Sequence, residues 1–208
     1  PIIVRDSTAT IYLHNNMLDY NHSYYVTIDE GVLTLPDHSF HGISKEHNWS
    51  FKTKDSVPAS TDTLIVDANG QGDFNTVQGA LDFIPDFSQK QTVILIQAGD
   101  YEELVYARNK TNVKIKGAGM DRTRVHYANN EVFNPHPLTV KTNEWPGTFP
   151  SRRAAFMLDN CSDILLEDLT IATDLHGQAE GLLLNGERIA LYSVPVSYTH
   201  LTLPTSDL

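Results

Sequence analysis

The strongest constraint on this chain is a set of short apolar segments that recur in step with no helical pattern between them. "TVILIQAG", "NVKIKG", "AAFMLDN", "DILLEDLTI", "GLLLNG" and "RIALYSV" follow one another between Thr92 and Val194. Val105 precedes Val113 by eight residues, Phe156 precedes Ile164 by eight, and Leu182 precedes Ile189 by seven. Ile164 to Ile189 is a step of 25 residues, and the 51 from Val113 to Ile164 read as about two such steps. A continuous apolar run such as "TVILIQAG" marks a strand buried on both faces. Strands that repeat at this spacing predict a parallel β-solenoid, in which each coil stacks its apolar residues on the next. A β-sandwich is the competing account, but 25 residues is long for strands joined by hairpins.

Ahead of these strands, "TLIVDANGQGDFNTVQGALDFIPD" reads as a strand, a Gly-containing turn and a short helix. Val77, Ala80, Leu81 and Ile84 fall at i, i+3, i+4 and i+7, one apolar face, and Pro85 stops the helix. This helix is expected to cap the open end of the first coil and cover its strand edges. "GQGD" lacks the Gly-Lys-Ser/Thr of a phosphate loop and reads as a turn.

The first fifty-odd residues differ. "IIVRD", "TATIYL", "SYYVTI" and "NWSFKTK" alternate with turn-like clusters and show no helical period, which predicts a small all-β module of the sandwich class. "YYVTIDEGVLTLPDHSFHGISKEHNWSFKTK" also resembles the C-terminal half of a bacterial Ig-like domain family found in surface and secreted proteins. Tyr25, Val26, Ile28, Gly31, Trp49, Phe51 and Thr53 stand at the matching places. His38, His41 and His47 lie in loops without Cys or carboxylate at ligand spacing, so no metal is expected there. "DSVPASTD" reads as a linker.

Charge and cysteine content narrow the function. A net charge of −11 over 208 residues argues against a polyphosphate partner, which needs clustered Lys and Arg. The single cysteine, Cys161, excludes a disulfide scaffold and reads as a small buried side chain. No stretch has the length of a membrane-spanning helix.

Five motifs, in order from about Leu64 to Val194, resemble the pectin methylesterase (pectinesterase) family: "DANGQGDFNTVQGALDFIP", "IQAGDYEELV", "NVKIKGAGMDRTRV", "CSDILLEDLTIAT" and "HGQAEGLLLNGERIALYSV". The resemblance implies a right-handed parallel β-helix that removes methyl groups from pectin, with no metal or organic cofactor. It also implies an Asp nucleophile that forms an acyl-enzyme, a second Asp as acid and base, a supporting Arg, and amide donors for the oxyanion. Gln178 matches the family's Gln-Ala-Val-Ala-Leu segment and is thereby expected to be an oxyanion donor.

The sequence departs from the family in places. Glu180-Gly181 replaces Val-Ala after Gln178-Ala179, and Arg153-Ala154-Ala155 stands where relatives have Ser-Ala-Thr. His176 is expected to be a loop residue rather than a base. Asp159, Asp163, Asp168 and Asp174 lie outside the family's catalytic context, and turn and surface roles suffice for Asp163 and Asp168. The family's Gln-Asp-Thr turn, Asp-Phe-Ile-Phe-Gly strand and Gly-Arg-Pro-Trp segment are missing from the chain. In their place stands "VSYTHLTLPTSDL", which can be back-translated into a string resembling a transposase end and adaptor used in preparing DNA for sequencing.

The expected organisation is therefore a partial Ig-like module (1–55), a linker (56–62), the N-terminal part of a pectinesterase β-helix (63–194) and a non-native tail (195–208). The chain alone is expected to be inactive and to fold poorly. Its parent is expected to be a secreted, cell-surface or periplasmic esterase with pectin as its partner. A non-catalytic carbohydrate-binding or adhesion β-helix is the alternative. A pectate lyase or polygalacturonase ranks third, since the Gly-Asp-Phe-x-Thr-Val-Gln opening weighs against it.

Overall fold

The computed structural model describes residues 2–5, 8–11, 18–34, 39–47, 49–129, 154–175 and 179–197. The chain divides into two compact units, Pro1–Ala59 and Ser60–Leu208. In the first, β1 (Ile2–Arg5) pairs antiparallel with β2 (Thr8–Ile11), and β3 (Ser23–Tyr25) with β4 (Ser50–Lys52). These are four of the runs expected to be strands. Tyr24 lies opposite Phe51 and stacks on it, with ring centroids 5.7 Å apart.

The second unit is a stack of parallel coils. Its strands are β5 (Thr63–Val66), β6 (Thr92–Ile96), β7 (Gly99–Glu102), β8 (Val105–Arg108), β9 (Thr111–Gly117) and β10 (Thr123–Tyr127), then β11 (Ala154–Glu167), β12 (Thr170–Thr173), β13 (Glu180–Tyr192) and β14 (Val196–Ser197). One sheet runs β13-β11-β9-β6-β5 with β8 also on β11, and a second runs β14-β12-β10-β7. Every pairing within them is parallel.

Equivalent side chains stack from coil to coil. Leu64 pairs with Ile94, Ile94 with Ile115, and Ile115 with Leu166, and all four are buried. Val113 pairs with Ile164 and Ile164 with Ile189; Val105 pairs with Phe156 and Phe156 with Leu182. The offsets of eight and seven residues read within the coils are therefore kept in the fold. Burying each such Leu, Ile or Phe contributes roughly 1.5–3 kcal/mol.

Two expectations need correction. Val113 pairs directly with Ile164, so the 51 residues between them make one coil and not two. The extra length lies between Tyr127, the end of β10, and Ala154, the start of β11. Nor are "AAFMLDN" and "DILLE" separate strands, or "GLLLNG" and "RIALYSV": the second pair forms β13, and the first forms β11, with a register shift between Asp159 and Cys161. Asn160 is the extra residue there, a β-bulge in the left-handed region at φ 51°. The bulge turns β11 around a corner, so its first half pairs with β8 and its second half with β9. Just beyond it, Asn112, Asp163 and Arg188 stack in successive coils, all left-handed.

The helix α1 (Val77–Phe83) follows β5 and precedes β6, the order expected from the sequence. Val77, Ala80, Leu81 and Ile84, the face expected to be apolar, are all buried in the main core. The Thr76 side chain accepts the Gly79 N–H at the N-cap, and the extended conformation of Ile84 before Pro85 ends the helix.

Candidate functional site

Alternate residues of a strand face opposite sides of its sheet. In β8, β11 and β13 the residues Val105, Ala107, Phe156, Leu158, Leu182 and Leu184 belong to the main core. Tyr106, Met157 and Leu183, which are register partners, form a separate apolar cluster on the outer face. The next outer row is Arg108, Asp159 and Asn185, again in register.

Asp159 is the centre of this row. Its side chain is 1% exposed, yet it carries a carboxylate, which demands partners. Asn185 Nδ2 donates to Oδ1 at 2.8 Å, and the Tyr106 hydroxyl donates to Oδ2 at 3.1 Å. Arg108 Nε also lies 3.1 Å from Oδ2, with its side chain 31% exposed. Burial, with the Asp159 charge next, pushes the Tyr106 hydroxyl up to about 12. It therefore stays protonated and remains a donor at neutral pH.

The network extends to α1. Gln78 Nε2 donates to the Tyr106 carbonyl at 2.8 Å, and the Tyr106 N–H donates to Gln78 Oε1 at 2.6 Å. Glu103 Oε1 and Oε2 accept the N–H groups of Val77 and Gln78 at 2.8 and 2.9 Å. Burial pushes the Glu103 carboxyl up, partly offset by those two donors. The Thr-Val-Gln and Gly-x-Tyr-x-Glu motifs thus meet: the Glu of one caps the helix of the other.

Gln178, the expected oxyanion donor, lies outside the described residues, as do His176, His38 and Arg153. The described chain resumes at Ala179 and enters β13 at Glu180, whose register partner is Ala154. Glu180 is buried, as are Ala154 and Ala155. Before this gap, Asp174 accepts from Arg124 Nη2 at 2.7 Å and lies 2.5 Å from His126 Nδ1. Burial raises the Asp174 carboxyl, but His126 and Arg124 outweigh it and hold the group below the ordinary carboxylate range.

The remaining candidates take structural positions. Arg188 grips Asp163 through Nε and Nη2, both at 2.7 Å, across successive coils. Lys116 lies 3.1 Å from Asp168. Cys161 is buried, and burial raises its thiol. His41 meets Glu30 at 3.1 Å, and His47 meets the Ser44 hydroxyl at 2.9 Å. Among the described residues, no three His, Cys, Asp or Glu side chains converge as a metal site requires.

Sequence reasoning missed the Asp159 cluster and the Gln78–Glu103 contacts. The one available signal was a carboxylate in the middle of "AAFMLDNC", with Arg108 and Asn185 at equivalent places in the neighbouring coils.

Comparison with known proteins places these observations. The family model described as Pectinesterase matches residues 63–197. "Probable pectinesterase 8" of Arabidopsis thaliana is 30% identical over 141 residues, which is 66% of this chain and 34% of that protein. "Pectinesterase/pectinesterase inhibitor" of Ficus pumila var. awkeotsang is 39% identical over 70 residues, 33% of this chain and 13% of that protein. The chain thus spans about a third or less of the length of these relatives. Pectin methylesterase from carrot shares the fold with a TM-score of 0.52 at 23% identity, over 70% of this chain and 44% of that one.

Proposed function

The chain belongs to the pectinesterase family, and from that premise we propose that the protein it comes from is a carbohydrate esterase acting on methyl-esterified polygalacturonate. The observation that carries the reading is the family match over 63–197 on coils whose strands stack in parallel register. In the proposed reaction an Asp carboxylate adds to the ester carbonyl and forms a tetrahedral oxyanion. Collapse breaks the bond to the methoxy oxygen, which leaves as methanol with a proton from a second carboxylic acid. Water, deprotonated by that same group, then cleaves the acyl-enzyme to galacturonate and free Asp. Gln178, just ahead of β13, donates its side-chain amide to the oxyanion without titrating.

The 208 residues contain neither Gln-Asp-Thr nor Asp-Phe-Ile-Phe-Gly, so on this reading Gln178 is the one member of that machinery in the chain. The chain by itself then releases no methanol from highly esterified pectin. An alcohol-oxidase assay on the purified chain tests this, and methanol release would overturn the assignment of the nucleophile to those missing motifs. A second reading of the same coils is a non-catalytic carbohydrate-binding or adhesion β-helix. It predicts that the complete protein is also silent in the assay.

We extend the proposal to organisation: an Ig-like module over 1–55, a linker over 56–62, a right-handed β-helix over 63–194 and a non-native tail over 195–208, in a protein that works outside the cell or in the periplasm. The tail includes Val196–Ser197, which pair with Ile171–Ala172 of β12. The coding DNA is therefore its most direct test.

A further inference from the structure

We propose that the outer edge of β5 is a latent contact for a second copy of this chain, and that Gly72-Asp73-Phe74 is the strap that holds it shut.

β5 ends the run β13-β11-β9-β6-β5, so one of its edges faces away from the stack. On the inner edge, the Val93 and Gln97 N–H groups donate to the Asp62 and Val66 carbonyls. Successive backbone groups of a strand point to opposite edges, so the N–H and C=O of Ile65 and the N–H of Asp67 point outward. A row of such groups is a template for pairing with another chain. The helix α1 fills the coil interior through Val77, Ala80 and Leu81; the edge itself is met by the residues just ahead of the helix.

Asp73 Oδ2 accepts the Ile65 N–H at 2.8 Å. The Asp73 and Phe74 N–H groups donate to the Ile65 carbonyl at 2.7 and 3.1 Å, and the Asp67 N–H donates to the Phe74 carbonyl at 2.9 Å. Phe74 also forms an isolated parallel bridge to Val66. The outward groups from Ile65 to Asp67 are thereby all used. Gly72 lets the strap come this close, since a Cβ there would stand 2.5 Å from the Ile65 carbonyl oxygen and 3.0 Å from the Asp67 nitrogen. Phe74 anchors the strap, packed against the main core and tilted on Phe83 with ring centroids 5.5 Å apart. Close approach, edge acceptor and anchor are three separate roles, and a plain turn requires none of them.

The contact that the strap prevents is self-complementary. Two β5 edges related by a two-fold axis pair antiparallel about Ile65, each copy exchanging N–H and C=O with the other. Ile65, 38% exposed, with the half-buried Val93 and Leu95 beside it, gives both copies the same apolar outer face. Asp73 opposes this pairing by taking the Ile65 donor and by placing a charge on the edge.

The test combines sedimentation velocity over a range of concentrations with residue-resolved amide hydrogen exchange at the lowest of them. The 208-residue chain is compared with Asp73→Ala, Asp73→Asn, Gly72→Val and the double variant Asp73→Ala with Ile65→Lys. Asp73→Ala is expected to speed exchange of the Ile65 amide at least about tenfold, and Gly72→Val that of Ile65 and Asp67, while the Ile94 and Ile115 amides hold. Both variants are expected to form dimers, as concentration rises, beyond any association of the unaltered chain. Asp73→Asn keeps an acceptor and matches the unaltered chain. Ile65→Lys sets like charges across the two-fold axis and returns the double variant to the unaltered mass. Fast exchange at Ile65 without added association, or association that Ile65→Lys leaves intact, would overturn the latent contact. Slow exchange at Ile65 in both single variants, or equal loss at Ile94 and Ile115, would overturn the strap.

Discussion

Glu103 and Lys110 grip opposite ends of the same helix. Glu103 accepts the first N–H groups of α1, while Lys110 Nζ donates to the Ile84 carbonyl and to Asp86 Oδ1, both at 2.6 Å. An anion at the N-terminus and a cation at the C-terminus both complement the helix dipole. Glu103, Lys110 and the helix all belong to the first coils, so one pair of charges fastens α1 to them. Glu103→Ala is expected to lower stability by about 2–3 kcal/mol and Lys110→Met by about 2, since each leaves buried backbone groups without a charged partner. Denaturant midpoints check this. The double variant should cost less than the sum, because a helix released at one end frays from it.

A second prediction concerns the corner at the bulge. A Cβ on Gly186 would run into the Cys161 carbonyl oxygen, and one on Gly117 into the Asp168 carbonyl oxygen. Neither neighbour is the flexible end of a side chain. Gly186→Ala and Gly117→Ala should each cost about 1–3 kcal/mol, whereas Gly70→Ala meets open space and costs only the strain of φ +79°. Thermal unfolding of the three variants ranks them.

The acid limb of stability supplies a third. The hydrogen bond from Lys110 holds Asp86 below the ordinary carboxylate range, and His126 and Arg124 do so for Asp174 against the effect of burial. For a lowered carboxyl the native state binds fewer protons than the unfolded one. Its contribution is full above the ordinary Asp pKa and is lost as pH falls through the lowered value. Asp86→Asn and Asp174→Asn should therefore flatten the fall in stability on acidification, while costing stability near neutrality. Urea unfolding across the acid range reads this directly.

Much of this fold was legible because apolar alternation marks which side of a strand is buried. The step of 25 residues from Ile164 to Ile189 could be read from spacing, and the two are register partners. Spacing could not tell a second coil from an excursion, which is why the 51-residue step between Val113 and Ile164 was misread. The bulge was hidden because Asn160 looks like any turn residue until its left-handed backbone is seen. For the site, Gln178 was named by resemblance to the family. Asp159 was missed because its partners come from 53, 51 and 26 residues away, and only coil stacking brings Tyr106, Arg108 and Asn185 to it.

A fourth prediction belongs to the complete enzyme. On the proposed role of Gln178 as an oxyanion donor, Gln178→Ala should lower kcat by about 100- to 1000-fold with little change in KM, since such a donor would act on the oxyanion and not on the ground-state ester. Steady-state methanol release on highly esterified pectin separates the two constants, and an equal rise in KM would point to ordinary substrate binding.

We propose that residues 63–194 are coils of a pectin methylesterase whose catalytic carboxylates follow in its own reading frame. Reading the source DNA across the Val194 codon by a method that uses no transposase adaptor tests it most directly. The account predicts a frame that continues into Gln-Asp-Thr and then Asp-Phe-Ile-Phe-Gly. A frame that ends in "VSYTHLTLPTSDL" would contradict it, and the chain would then be a binding module on an esterase scaffold.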